Sequence, residues 1–325
     1  MELQLSNKAG FQMKAITDCT LDIDLNGEKD FELSMSTADY DEIAMHSRIF
    51  CPSTEIGGIV GGRISDSSTA TITYTGDTWR GRLNKKIILP PDGQNYKVVS
   101  GELNTILKEL IEPEFGGLFK VSRISTGVEI NYQFNRFCTL YDGIVKMLKS
   151  VGYRLDLSYN EGTPNSYGWV DVQAVPIKDY SEEIELSQDS QLSFTAQEKH
   201  DGVNHLIIGG KGELQERNVL HLYVQKDGSI GKKQCYFGAE EIAEFYENTS
   251  AETDELEKAG IERLEERKDY KSFTMDVESL GVDVAIGDII GGRDHVTDMS
   301  LRKPLSNIIV TIKNGDVSKE YRLED

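Results

Sequence analysis

Up to residue 95 apolar positions recur every second residue, as Phe31, Leu33 and Met35 do in KDFELSMS and Ala70, Ile72 and Tyr74 in TATITYTG. This period of two marks strands with one buried face. Turn chemistry falls between them at Asn26-Gly27, Gly57-Gly58, Gly61-Gly62 and Gly76-Asp77. The pattern predicts an antiparallel β domain over residues 1–95. It ends at Pro90-Pro91-Asp92-Gly93, because paired prolines withdraw ladder donors and force a turn or an extended link.

The period then changes. Leu103, Ile106, Leu107, Leu110 and Ile111 fall on one helical face, and Pro113 stops it. Strand patterns follow at 118–124 and 128–134, then a helix from a Thr139-x-x-Asp142 cap through Ile144, Val145, Leu148 and Val151 to Gly152. With the strands YRLDLSY and WVDVQAV these make an α+β domain over 96–185. From 186 strands return: QLSFTA, VNHLIIGG, and NVLHLYVQ with Leu220, Leu222 and Val224 on one face. Residues 239–268 break the texture, with eleven acidic against four basic side chains. There Ile242, Phe245 and Tyr246 form one apolar patch and Leu256, Ala259, Gly260 and Leu264 another, separated by a Thr249-x-x-Glu252 capping box. Two short inserted helices are expected. Strands resume in SFTMDV, SNIIVTIK and EYRL, so 186–325 reads as a second β domain with a helical insertion at about 239–268. The predicted class is α+β, mostly β, and no repeat of solenoid or propeller period is present.

Composition narrows the function classes. The chain is 38% hydrophobic and 28% charged, which suits folded domains. Its 35 Lys and Arg against 55 Asp and Glu give a formal net charge of −20, a surface that repels phosphate and opposes stable nucleic-acid binding. No apolar run approaches the ~20 residues of a membrane span, and the N-terminus has no signal-peptide core, so no membrane anchor is expected. Cys19, Cys51, Cys138 and Cys235 stand alone, without CxxC or a His at ligand spacing, and read as reduced thiols.

Candidate chemistry is sparse. Gly209-Gly210-Lys211-Gly212-Glu213 lacks the spacing of a phosphate loop and places Glu where a hydroxyl should hold magnesium. The glycines of 57–62 and 287–292 are not followed by an amphipathic helix, so they read as turns or bulges. His200 and His205 are spaced for neither a helix nor a strand metal motif, and Asp294-His295 has no nucleophile elbow to serve. No cofactor, metal or catalytic residue is predicted. Asp77 beside Trp79 is the one carboxylate in an aromatic strand context, the setting a polysaccharide hydrolase would use. Trp79 itself, among Arg80, Arg82, Lys85 and Lys86, reads as an interface anchor, a glycan-stacking platform or a core tryptophan whose basic neighbours face solvent.

Asp77, Trp79, Arg80 and Gly81, leading through Ile87-Ile88 to Pro90 and Pro91, together resemble a hallmark of phage tail baseplate hub proteins, the type found in PBSX-like prophages and in contractile tails or tail-like bacteriocins. The run Asp201 to Asn204 and His205, through Gly210 and Gly212 to His221, is similar to that family's middle signature. The run Gly287-Asp288 to Arg293-Asp294 is similar to its C-terminal one. The resemblance implies two β-barrel-like, tail-tube-like domains per subunit and a homotrimer that forms a pseudo-sixfold ring. Such a ring would join the tail tube protein to the central spike protein, touch other baseplate proteins and the tape measure protein, and be assembled in the bacterial host cytoplasm before entering the particle. It implies a structural role, with no catalysis. Some hubs carry a fused peptidoglycan hydrolase, and the sequence to Asp325 shows no such segment. Acidic walls in a hub would keep a passing polyanion from adhering.

Overall fold

The computed structural model describes residues 1–27, 31–39, 43–163, 166–181, 185–186, 193–248, 253–276, 283–294, 296 and 299–323. Strands dominate, in several sheets, with α-helices α1 (Trp79–Asn84), α2 (Leu103–Ile111), α3 (Leu140–Lys149) and α4 (Thr253–Arg267) among the described residues. The chain forms two compact units: Met1–Thr195 with Thr274–Glu324, and Ala196–Phe273.

In the larger unit one long sheet runs, from its edge, through strands Gln12–Ile16, Leu3–Ser6, Arg48–Phe50, Gly57–Asp66, Thr71–Thr78, Phe31–Ser36, Cys19–Asp24, Met299–Lys313 and Asp316–Leu323. All these neighbours are antiparallel, and the path is open among the described residues. The alternation read at Phe31 and Leu33 is what buries it, and Leu21 and Ile23 on the neighbouring strand follow the same rule: all four are fully buried, with the acidic Asp22 and Glu32 between them exposed.

Two features of this sheet differ from the sequence expectation. Gly57-Gly58 and Gly76-Asp77 lie inside paired strands instead of at turns. A Cβ on Gly76 would sit 2.0 Å from the Ile59 carbonyl oxygen, and one on Gly58 2.4 Å from that of Asp77, so these glycines permit close backbone approach. Gly61-Gly62 sits at a register shift, where a bulge is accommodated. The second difference is that residues 299–323 do not close a separate C-terminal β domain. They form a hairpin that pairs with Cys19–Asp24, from Ile309 opposite Asp24 to Lys313 opposite Thr20. Val310 and Ile312 thereby extend the buried face begun by Leu21 and Ile23. Alternation specifies which face of a strand is buried and leaves its partner open.

The middle segment forms the two expected helices, but it lies in the same compact unit as residues 1–95 instead of forming a domain of its own. Thr139 caps α3 by accepting from Asp142 N at 3.1 Å, Glu102 caps α2 by accepting from Thr105 N at 2.9 Å, and Gly152 takes φ +74° just beyond α3. Both helices bury Ile106, Leu107, Ile144 and Leu148 in a core shared with Phe119, Leu155, Val170 and Val172 of the sheet Tyr153–Asn160, Trp169–Pro176, Phe119–Val121. Phe50 and Trp79 of the first segment lie in that same core.

The smaller unit holds strands Ile230–Gly231, Val219–Val224, His205–Gly209 and Ala243–Glu247, in that order, the last pair parallel. Helix α4 covers one face through Leu256 and Leu264, packed on Leu206, Ile208 and Leu222. Of the two helices expected in 239–268, one is present among the described residues. Residues 243–247 are a strand whose exposure alternates, because pairing with His205–Gly209 satisfies their backbone and outweighs the weak helical spacing of Ile242, Phe245 and Tyr246. The Thr249–Glu252 box lies outside the described residues. No helix among those described is long and apolar enough to cross a membrane.

Candidate functional site

Trp79 and Arg80 open α1, a short helix capped by the Thr78 hydroxyl, which accepts from Gly81 N at 3.0 Å. Trp79 is 0% exposed and stacks on Tyr159 at 5.3 Å, which stacks in turn on Phe50 at 3.9 Å. The ring is therefore core and offers neither a glycan platform nor an interface anchor. Arg80 is also buried. Its Nε and Nη2 donate to the two Glu55 carboxylate oxygens at 2.5 and 3.0 Å, Nη1 to the Tyr141 hydroxyl at 3.0 Å, and Nη2 to the Leu155 carbonyl at 3.3 Å. Tyr141 donates onward to Asn26 Oδ1 at 2.6 Å. Burial alone would favour a neutral Arg80, but Glu55 and Tyr141 overcome it and hold the guanidinium charged. Burial raises the Tyr141 phenol above its ordinary range, against the opposing pull of Arg80. Asp77 accepts from Arg82 Nη1 at 2.9 Å and lies 3.6 Å from Lys85 Nζ, so its carboxylate is engaged in ion pairs. Pro90 and Pro91 continue an extended segment anchored at Ile88, whose N donates to the Cys138 carbonyl at 2.9 Å.

The C-terminal signature shapes a second buried ion pair. Asp288 is 0% exposed and accepts from Arg154 Nε at 2.8 Å, Lys178 N at 2.9 Å and Ala285 N at 3.1 Å. Gly287, at φ +96°, lies against Arg154, where a Cβ would come within 3.0 Å of the arginine Cβ. Arg293 and Asp294 occupy strand Ile289–Asp294 opposite Ser300 and Met299. Their side chains, and His295, lie outside the described residues. Arg80 and Gly287 both border a cavity of about 330 Å3, with Tyr153, Ile177, Ile286 and Leu305 on its walls and Lys146 and Lys149 along the exposed side of α3.

In the smaller unit Asn204 clamps the entry to strand 243–247, donating through Nδ2 to the Glu240 carbonyl at 2.7 Å and accepting Ile242 N at 3.0 Å. His205 Nδ1 lies 2.5 Å from Glu241 Oε1, and its Nε2 lies 2.8 Å from His221 Nδ1. Because the carboxylate only accepts, Nδ1 donates to Glu241, a second hydrogen bond joins Nε2 to the His221 ring, and Tyr223 stacks on His205 at 4.4 Å. The three side chains tie together adjoining strands of the sheet. Gly212, at φ +105°, turns the loop after strand His205–Gly209, where a Cβ would meet the Glu216 carbonyl at 2.4 Å.

Thus the described signature residues cap, clamp and cross-link. The comparisons agree with that architecture. No protein-family model matches the sequence, and no curated protein matches it. Among solved structures, the 43 kDa tail protein of prophage MuSo2 from Shewanella oneidensis superposes with a TM-score of 0.58 at 13% identity, covering 100% of this chain and 98% of that one. The tail protein from Neisseria meningitidis MC58 gives 0.51 at 14% identity over 99% and 97%. A chain of the phage P2 baseplate in its activated conformation with Ca gives 0.53 at 9% identity over 99% and 98%.

The chain has the fold of these phage tail proteins. Among the described residues no three His, Cys, Asp or Glu side chains are grouped to hold a metal ion. Sequence reasoning missed Glu55, Tyr141 and Arg154, the partners that give Arg80 and Asp288 their roles. They stand 25, 61 and 134 residues away from those partners, with no local motif to announce them.

Proposed function

We propose that this protein is a structural subunit of a phage tail or phage-tail-like particle: a baseplate hub whose three copies form a pseudo-sixfold ring between the tail tube and the central spike. The observation that carries this reading is the end-to-end match of one chain to phage tail proteins, without a large unmatched segment on either side. The long open sheet supports it, since its edge strand Gln12–Ile16 pairs on one side only among the described residues, and such an edge can be continued by a neighbour in a ring. Other baseplate proteins and the tape measure protein are the further partners of this role, and the particle is its place. The net charge of −20 suits a conduit for a polyanion. A hydrolase centred on Asp77 finds less support, because Arg82 and Lys85 already engage that carboxylate.

Isolated tail particles from cells producing a tagged copy test the role. Gold label at the tube's distal end is the expected result. Particles that form normally without the chain, or label spaced along the tube, would overturn it.

A further inference from the structure

The side chains around His205 limit how many protons they can hold. His205 is 7% exposed, and each of its ring nitrogens has a partner. Nδ1 lies 2.5 Å from Glu241 Oε1, and Nε2 lies 2.8 Å from Nδ1 of His221, an exposed residue. Tyr223 stacks on the His205 ring at 4.4 Å and holds its plane. A hydrogen bond between two imidazole nitrogens contains one proton, since one nitrogen donates and the other must accept. The four ring nitrogens of the pair therefore take three protons with both bonds intact: one on Nδ1 toward Glu241, one between the rings and one on Nε2 of His221. At three protons the pair is a monocation, and the Glu241 carboxylate balances it. A fourth proton would set two N–H groups against each other across 2.8 Å and place two adjacent cations beside one carboxylate.

The other charged groups around the pair have partners of their own. On the same face of the sheet Glu247, beyond Phe245, accepts from Arg217 at 2.5 Å. On the opposite face Glu244 is held by Arg263 and Arg267 of α4. Lys232, next to strand Ile230–Gly231, pairs with Glu257 at 2.8 Å, and His200 lies 3.4 Å from Asp269. Glu240 presents its backbone carbonyl to Asn204. Glu241 is the carboxylate that hydrogen-bonds the histidine pair.

We propose that His205, His221 and Glu241 form an acid-sensitive latch between strands His205–Gly209 and Val219–Val224, which keeps its bonds on taking up one proton and separates on taking up the next. In the unfolded chain both imidazoles protonate freely as pH falls through the ordinary histidine range. The open unit then binds one proton more than the latched unit. A state that binds fewer protons loses stability as pH falls, here by about tenfold in the opening constant for each pH unit over which the deficit is one proton. The two strands also carry Leu206, Ile208 and Leu222 on the face under α4, so release of the latch loosens the core of the smaller unit.

Hydrogen exchange on the full chain, from about pH 7.5 to about pH 4.5, tests the latch. The amides of 205–209 and 219–224 are read against those of Cys19–Asp24 in the larger unit. His221→Gln removes the second imidazole at an exposed position and lets His205 hold both of its protons beside Glu241. The opening constant of the parent, divided by that of His221→Gln at the same pH, should rise by at least about tenfold across this range. Glu241→Gln keeps an acceptor but removes the counter-charge, so its own rise should begin at a higher pH than the parent's. Should the glutamine at 221 fail to fold, as judged by the protection of 205–209 at about pH 7.5, His221→Asn serves in its place. A parent-to-variant ratio that stays constant or falls on acidification overturns the latch, and so does a Glu241→Gln chain whose exchange follows the parent's at every pH.

Discussion

Replacing Arg80 by Met removes four donated hydrogen bonds at once: two to Glu55, one to Tyr141 and one to the Leu155 carbonyl. Arg80 is 2% exposed and Glu55 15%, so the substitution leaves a mostly buried carboxylate without its counter-charge. Breaking one side of such a pair costs about 3–5 kcal/mol, because the stranded charge keeps its desolvation penalty. Replacing both residues, as Arg80→Met with Glu55→Gln, removes the charge along with the bonds and should cost only about 1–2 kcal/mol. The double change is therefore milder than Arg80→Met alone. Urea unfolding followed by tryptophan fluorescence reads this directly, since Trp79 and Trp169 both lie in the larger unit that holds the pair. Trp79 sits one residue from the perturbation, so its emission reports the unfolding of that core. An Arg80→Met variant within about 1 kcal/mol of the parent would refute the reasoning, as would a double variant whose loss equals the sum of the single ones.

Glu102 gives a pH dependence of definite sign. Burial would raise its pKa, but donation from Thr126, Thr105 and Asn104 outweighs that and lowers it to about 2. Its stabilising share is complete above the ordinary carboxylate range and disappears as pH falls through about 2. Between pH 6 and pH 3 the parent's urea midpoint should therefore fall more than that of Glu102→Gln, by the equivalent of about 1 kcal/mol after allowance for solvent screening, and equal slopes would contradict the assignment. Gly260 on α4 faces the sheet so closely that a Cβ would lie 2.1 Å from Ile208 Cδ1 and 2.9 Å from Leu222 Cδ1. Gly260→Val should destabilise the smaller unit by about 1–3 kcal/mol in hydrogen exchange of strands 205–209 and 219–224, despite the better helix propensity of valine, and protection equal to the parent's would be inconsistent with this packing.

Local patterns made much of this fold legible. Phe31 and Leu33, Ile72 and Tyr74, and Leu220, Leu222 and Val224 declared their strands by alternation. Thr139 and Gly152 declared the ends of α3 by capping chemistry. Pairing partners were less visible, because nothing in SNIIVTIK says that it continues the strand Cys19–Asp24 nearly three hundred residues earlier. Glycine was ambiguous for a physical reason: Gly76 is needed where two backbones nearly touch, and the same residue type is needed where a chain turns. Strand 243–247 was misread because an apolar residue at each of 242, 245 and 246 fits a helix face, while the parallel partner that decides the matter lies outside the window. The cavity beside α3 was the least legible. The cavity draws on Asn26, Tyr141, Ile177, Ile286 and Leu305, which only the folded chain brings together.

The mass of the purified chain in solution is the most direct test of the structural-ring account. Light scattering coupled to size exclusion, on a 36.4 kDa chain, should return three times that mass at micromolar concentration and above. A mass that stays at that of a single chain across the whole concentration range would contradict it.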